Sequence, residues 1–155
     1  MKFSEFIVRD AIVSALAADE RDSVIRELVQ ALAAQGAVPR ALVEEIVRAV
    51  IDREKNGSTG FGKGVAVPHV KHARIKKMVG TIGRSVGGID FNALDHQPVY
   101  SVVLLLSPDN QPNQHLEAMN VVFSHLQRDT FRRFLRQAAT PQAIGDLLDE
   151  ADQGK

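Results

Sequence analysis

The stretch from Val99 to Ser107 reads VYSVVLLLS, and it constrains the fold more than any other part of the chain. A strand with one wet face alternates apolar and polar residues, whereas this one is apolar toward both faces. It is predicted to be the central strand of a sheet covered on both sides. Helical spacing supplies the cover. Val24, Ile25, Leu28, Val29 and Leu32 share one face of a helix that Gly36 can end. Pro39 can open a second helix, with Leu42, Val43, Ile46, Val47, Val50 and Ile51 as its apolar stripe, running out near Lys55-Asn56-Gly57. After about Pro112 the pattern returns: Leu116, Met119, Phe123 and Leu126 are predicted to share a face, and Phe131, Phe134 and Leu135 to mark a further short helix. Thr140 before Pro141 caps a last helix that buries Ile144, Leu147 and Leu148. Between these helical regions lie a short extended piece, Val65 to Val67, and a strand from Val79 to Val86 weakened by Gly80 and Gly83 and broken at Gly87-Gly88. The pattern predicts an α/β layered domain.

A length of 155 residues fits one such domain with a core over about 5–150, and no repeat or long polar linker divides it. Lys and Arg together equal Asp and Glu together at 19 each, so the basic excess of a general nucleic-acid binder is missing. The chain has no Cys, which excludes disulfides, thiolate metal sites and a cysteine nucleophile. Its longest aliphatic run, Val102 to Leu106, falls far short of the roughly 20 residues a membrane span needs. Ala15-Leu16-Ala17 resembles a cleavage site, but Glu5, Arg9 and Asp10 interrupt the apolar stretch before it. A cytoplasmic protein with no membrane insertion is expected.

Chemistry is concentrated in one segment. Gly57 to Gly64 reads GSTGFGKG, and its backbone could approach a phosphate closely with N–H groups pointing inward. Gly57, Gly62 and Lys63 satisfy G-x-x-x-x-G-K, but Gly64 stands where a nucleotide loop needs Ser or Thr for magnesium. The flanks are reversed too, since this loop runs from helix into strand. It is not a dinucleotide fingerprint either, because Val65 takes the place of the last Gly. On spacing alone, a glycine-rich connector without a ligand remains equally open. His69 follows behind Pro68. A neutral imidazole is a competent nucleophile near pH 7, and loop N–H groups with Arg53 as the nearby cation would suit phosphoryl transfer. A lone histidine more often has no such role.

The ordered series Arg53-Glu54, Gly57-Ser58-Thr59-Gly60-Phe61-Gly62 and Gly64-Val65-Ala66-Val67-Pro68-His69 resembles the active-site signature of enzyme IIA domains of the bacterial phosphotransferase system. The resemblance is to the mannitol/fructose class, which includes the nitrogen-regulatory branch, and it spans nearly the whole chain. It implies a mixed sheet between helices, in α/β/α layers. It also implies that His69 accepts a phosphoryl group from HPr or its nitrogen-branch counterpart. The group would pass to a cysteine of a IIB domain in sugar uptake; in a regulatory protein, the phosphorylation state would govern binding to a target. His115, in Gln114-His115-Leu116, falls where the family has its second active-site histidine, and would hydrogen-bond the transferring group. Arg53 would balance its charge, and Ser58, Thr59, Gly60, Gly62, Lys63 and Gly64 would form the phosphate-binding loop. No nucleotide, metal or other cofactor is implied, because the incoming phosphohistidine already has high transfer potential.

Lys63 departs from the Asn of many members, and Lys71 and His72 make the surroundings of His69 more basic; these charges either favour an anionic or phosphorylated state of the site or are simply solvated. A zinc site formed by His69, His72 and His115 lacks a closing ligand pattern and is not expected. His96 is predicted in an exposed turn and His125 as a packing residue, with Met119, Phe123, Phe131 and Phe134 in the core.

Overall fold

The computed structural model describes residues 1–154. Its centre is the apolar strand expected there, β4 (Val99–Pro108), which is buried at every position but Tyr100. Along one edge run β1 (Val65–Ala66) and β2 (His69–His72), both parallel to β4. Val65 lies opposite Ser101 and His69 opposite Leu105, so the two short strands keep one register and are halves of a single strand. Pro68 separates them. Its carbonyl accepts from the Leu105 N–H at 3.0 Å, but it has no N–H to return, and the ladder loses that rung.

On the other edge β3 (Val79–Ile89) runs antiparallel to β4, so the sheet is mixed. It does not break at Gly87-Gly88 as expected. The register slips between Arg84 and Ile89 instead, and Gly88 takes a φ of +89° within the bulge. Gly80 and Gly83 are places of close approach more than of weakness. A Cβ on Gly80 would lie 2.5 Å from the Leu104 carbonyl oxygen, and one on Gly83 would lie 2.9 Å from the side chains of Leu16 and Leu28. The N-terminal segment binds along the outer side of β3, with Gly80 donating to the Phe6 carbonyl at 2.8 Å and Val13 to that of Ile82 at 3.0 Å.

Helices α1 (Arg21–Ala34) and α2 (Val43–Lys55) cover one face; α3 (Pro112–Leu126), α4 (Asp129–Gln137) and α5 (Pro141–Asp152) cover the other. Strand alternation shows this directly: Val102, Leu104 and Leu106 pack with the first pair, Val103 and Leu105 with the second group. Gly36 ends α1 with a φ of +73°, and the Thr140 hydroxyl caps α5 by accepting from Ala143 at 3.1 Å. The α/β/α sandwich is therefore the expected one.

Two helix faces differ from expectation. In α3 the buried stripe is His115, Ala118, Met119, Val122 and Leu126, and Leu116 is 60% exposed. The face is rotated by one residue because His115 turns inward. In α4, Phe131 and Leu135 are buried while Phe134 is 53% exposed, so Phe134 is not core. No helix among the described residues is long and apolar enough to cross a membrane.

Candidate functional site

Two imidazoles meet on the face of the sheet that α3 covers. His69 opens β2, and His115 lies on the buried face of α3; their ring centroids are 5.5 Å apart. His69 belongs to the row Val65, Val67, His69, of which the two valines pack with the α3 side. His72 faces the opposite way by the two-residue period, and its Nε2 lies 3.3 Å from Glu45 Oε2 on α2. The three imidazoles therefore do not share one site.

The backbone sets the state of His69. At an edge strand, the N–H and C=O of alternate residues point away from the sheet. Val67 is such a residue: its N–H reaches the Thr59 carbonyl at 3.3 Å, and its carbonyl lies 2.7 Å from His69 Nδ1. A carbonyl only accepts, so Nδ1 carries the proton and Nε2 keeps a free lone pair. Burial pushes the imidazole below its ordinary pKa; the Val67 bond opposes this, and the charges of Arg53 and Lys71 add to it. His69 is thus a neutral imidazole with Nε2 as its basic atom. His115, 9% exposed, is held by the Ser107 hydroxyl at 2.7 Å from its Nδ1. Burial first, and then the nearby His69 and Lys71, lower its pKa to about 4.

The glycine loop is fixed largely by its own side chains. Glu54, 2% exposed in the last turn of α2, accepts from the Thr59 N–H at 3.1 Å and from the Thr59 hydroxyl. The Ser58 hydroxyl donates to the Phe91 carbonyl at 2.7 Å and accepts from the Gly60 N–H at 3.0 Å. Lys63 N–H donates to Asp95 at 2.9 Å. Three loop N–H groups expected to face a phosphate are thus committed within the protein. Gly62 (φ +109°) and Gly64 (φ +80°) adopt the left-handed backbone only glycine takes freely, and Phe61 anchors the loop on Phe123 with ring centroids 5.0 Å apart.

Arg53 lies in the last turn of α2. Its guanidinium donates to the Gly57 carbonyl at 3.0 Å, and its charge acts on His69. Lys63 lies apart: it takes a φ of +63° and lines a separate cleft with Tyr100 and arginines of α4. His96 sits in an exposed turn, and His125 packs between Phe3 and Phe131, its ring centroid 5.0 and 5.4 Å from theirs. Sequence reasoning missed Ser107 and assigned no role to Glu54. The available signals were a lone hydroxyl near the carboxyl end of an apolar strand and a carboxylate beside the buried stripe of α2.

The chain is similar in sequence and fold to known proteins. Residues 5–151 match the model of the family described as "Phosphoenolpyruvate-dependent sugar phosphotransferase system, EIIA 2". The chain is 32% identical over 99% of its length to a PTS system fructose-specific EIIABC component of Bacillus subtilis, of which it spans only 24%. It is 33% identical to a nitrogen regulatory protein of Bradyrhizobium diazoefficiens, covering 96% of this chain and 95% of that one. Among solved structures, nitrogen regulatory protein IIA-Ntr from Neisseria meningitidis superposes with a TM-score of 0.85 at 26% identity, over 94% of this chain and 98% of that one.

Proposed function

Because the chain belongs to the EIIA 2 family of the phosphoenolpyruvate-dependent sugar phosphotransferase system, whose members carry phosphoryl groups, we propose that it acts as one phosphoryl-carrier domain with His69 as acceptor. The observation that carries this reading is the 2.7 Å contact from Nδ1 to the Val67 carbonyl, which leaves Nε2 as the nucleophile. Nε2 attacks the phosphorus of an incoming phosphohistidine on an HPr-like carrier. One N–P bond breaks at the donor as another forms at His69, so the step exchanges one phosphoimidazole for another. His115 stands beside the reacting atom. With the Ser107 hydroxyl donating to its Nδ1, its Nε2–H is free to donate to a phosphoryl oxygen. Arg53 adds positive charge where negative charge gathers on the equatorial oxygens. The glycine loop holds this frame, chiefly through Glu54 and Thr59.

The onward acceptor divides two versions of this role: a IIB-domain cysteine in sugar uptake, or a regulatory target bound according to phosphorylation state. The extended match to nitrogen regulatory proteins of similar length favours keeping the second beside the first. Incubation with phosphoenolpyruvate, enzyme I and either HPr or its nitrogen-branch counterpart, followed by intact mass measurement, tests the shared step. A single acid-labile adduct on the wild type that is absent from His69→Ala is the expected result. No adduct with either donor would overturn the carrier role. Transfer to a IIB cysteine, set against phosphorylation-dependent capture of a regulator, then separates the two versions.

A further inference from the structure

A cavity of about 860 Å³ opens beside the amino end of β4, away from the imidazole pair. Ser101, which lines it, pairs with Val65, four residues before His69 and so roughly 13 Å along the strand at about 3.3 Å per residue. Five cationic side chains line it: Lys63 from the glycine loop, Arg84 from β3, and Arg132, Arg133 and Arg136 from α4. Among the described residues Asp95 and Asp129 are the carboxylates that line it, although Lys and Arg balance Asp and Glu at 19 each over the whole chain. Asp95 is already engaged by the Lys63 and Gln97 N–H groups at 2.9 and 3.1 Å, and Asp129 by Arg132 at 3.4 Å. Arg132 pairs with Asp129, and the neutral N–H groups leave the charge of Asp95 in place, so the five cations exceed the two carboxylates by three. Such a like-charged cluster repels itself, and a concave wall focuses its field toward an anion.

Three of the cations are also held in place. Arg84 donates to the carbonyls of Arg136 at 2.6 Å and Ser14 at 3.0 Å, and Arg132 donates to that of Leu126 at 2.8 Å. The Arg136 guanidinium lies 3.6 Å from the centroid of the Tyr100 ring. Groups fixed before binding lose little freedom on meeting a ligand. Guanidinium forks suit phosphate oxygens, and the volume is that of a small-molecule site.

We infer that this cleft is a second anion site, which binds a small molecule carrying two or more linked phosphates. It is independent of phosphoryl transfer at His69. The occupant spans from Arg133 and Arg136 to Lys63, touching the loop that leads into β1.

The chain contains one Tyr and no Trp, so its tyrosine emission reports on Tyr100 alone. Sodium tripolyphosphate and orthophosphate, which do not absorb at the exciting wavelength, serve as probes, titrated at constant ionic strength with calorimetry in parallel. Tripolyphosphate should produce a saturable change and bind at least tenfold more tightly than orthophosphate. The double variant Arg133→Glu/Arg136→Gln, checked for an intact fold by circular dichroism, should bind at least tenfold more weakly by calorimetry. His69→Ala should bind as the wild type does, which separates this site from the phosphoryl carrier. Absence of saturation at millimolar concentration, equal affinity for the two probes, or unchanged binding by the double variant would each overturn the inference. So would preference for a polyglutamate peptide over tripolyphosphate.

Discussion

Glu54 is almost completely enclosed, and burial raises its pKa despite the two bonds from Thr59 and the charges of Arg53 and Arg21 that act to lower it. A carboxylate kept in that position must be held for its acceptor oxygens, which pin the turn between α2 and the glycine loop. Glu54→Ala leaves the Thr59 N–H and hydroxyl without their acceptor, a loss of about 1–3 kcal/mol in urea unfolding. It should also slow phosphorylation of His69, because the Val67 N–H rests on the Thr59 carbonyl. Glu54→Gln keeps an oxygen for the Thr59 N–H and should recover most of both; equal behaviour of wild type and Glu54→Ala would remove Glu54 from the frame of the site. At this scale the sequence was legible in part. His69 and Arg53 are singled out by the motif, and His115 by the resemblance alone. The tautomer of His69 does not, because it depends on a carbonyl aimed outward from a strand edge. Nor does the partnership of Ser107 with His115, which exists only once a strand and a helix are packed.

Among the elements, β3 shows most clearly how composition can mislead. Its glycines suggested a weak strand, yet Gly80 and Gly83 are where neighbouring chain comes closest. Gly80→Ala would drive its methyl group into the Leu104 carbonyl oxygen, which belongs to the central strand and cannot give way cheaply. A destabilisation of about 3 kcal/mol is expected from such overpacking, read as a lower urea midpoint. A midpoint equal to that of the wild type would mean that β3 and β4 separate locally at little cost. The strongest patterns transferred well: β4 lies at the centre, and α1, α2 and α5 begin and end near their signals. The face of α3 did not transfer, since a hydropathy stripe prefers Leu116 to His115, and the histidine is turned inward where the Ser107 hydroxyl holds it.

For the molecule as a whole, the two site histidines make stability depend on pH. Both have folded-state pKa values below the ordinary value of about 6.5, that of His115 being about 4. As pH falls, the unfolded chain binds protons before the folded one does, so stability is full above about 6.5 and declines toward 4. Glu54 acts in the opposite sense, taking up its proton in the folded state first, and makes the decline shallower. The His115 contribution should be about 1–3 kcal/mol, seen by urea titration between about pH 7.5 and 4.5 and flattened in His115→Asn. An unchanged slope in that variant would place the proton uptake elsewhere.

The outward amide groups of Val67 serve a further purpose beyond the chemistry of His69. A bare sheet edge is a template on which a second chain can pair, the first step toward fibrils. Here one edge is interrupted by a proline, and the outward N–H and carbonyl of Val67 beside it are already taken up by Thr59 and His69. The opposite edge is overlaid by the N-terminal segment through Phe6, Val8 and Val13. The same bond that prepares a nucleophile therefore also withdraws one outward carbonyl of that edge from pairing with a second strand.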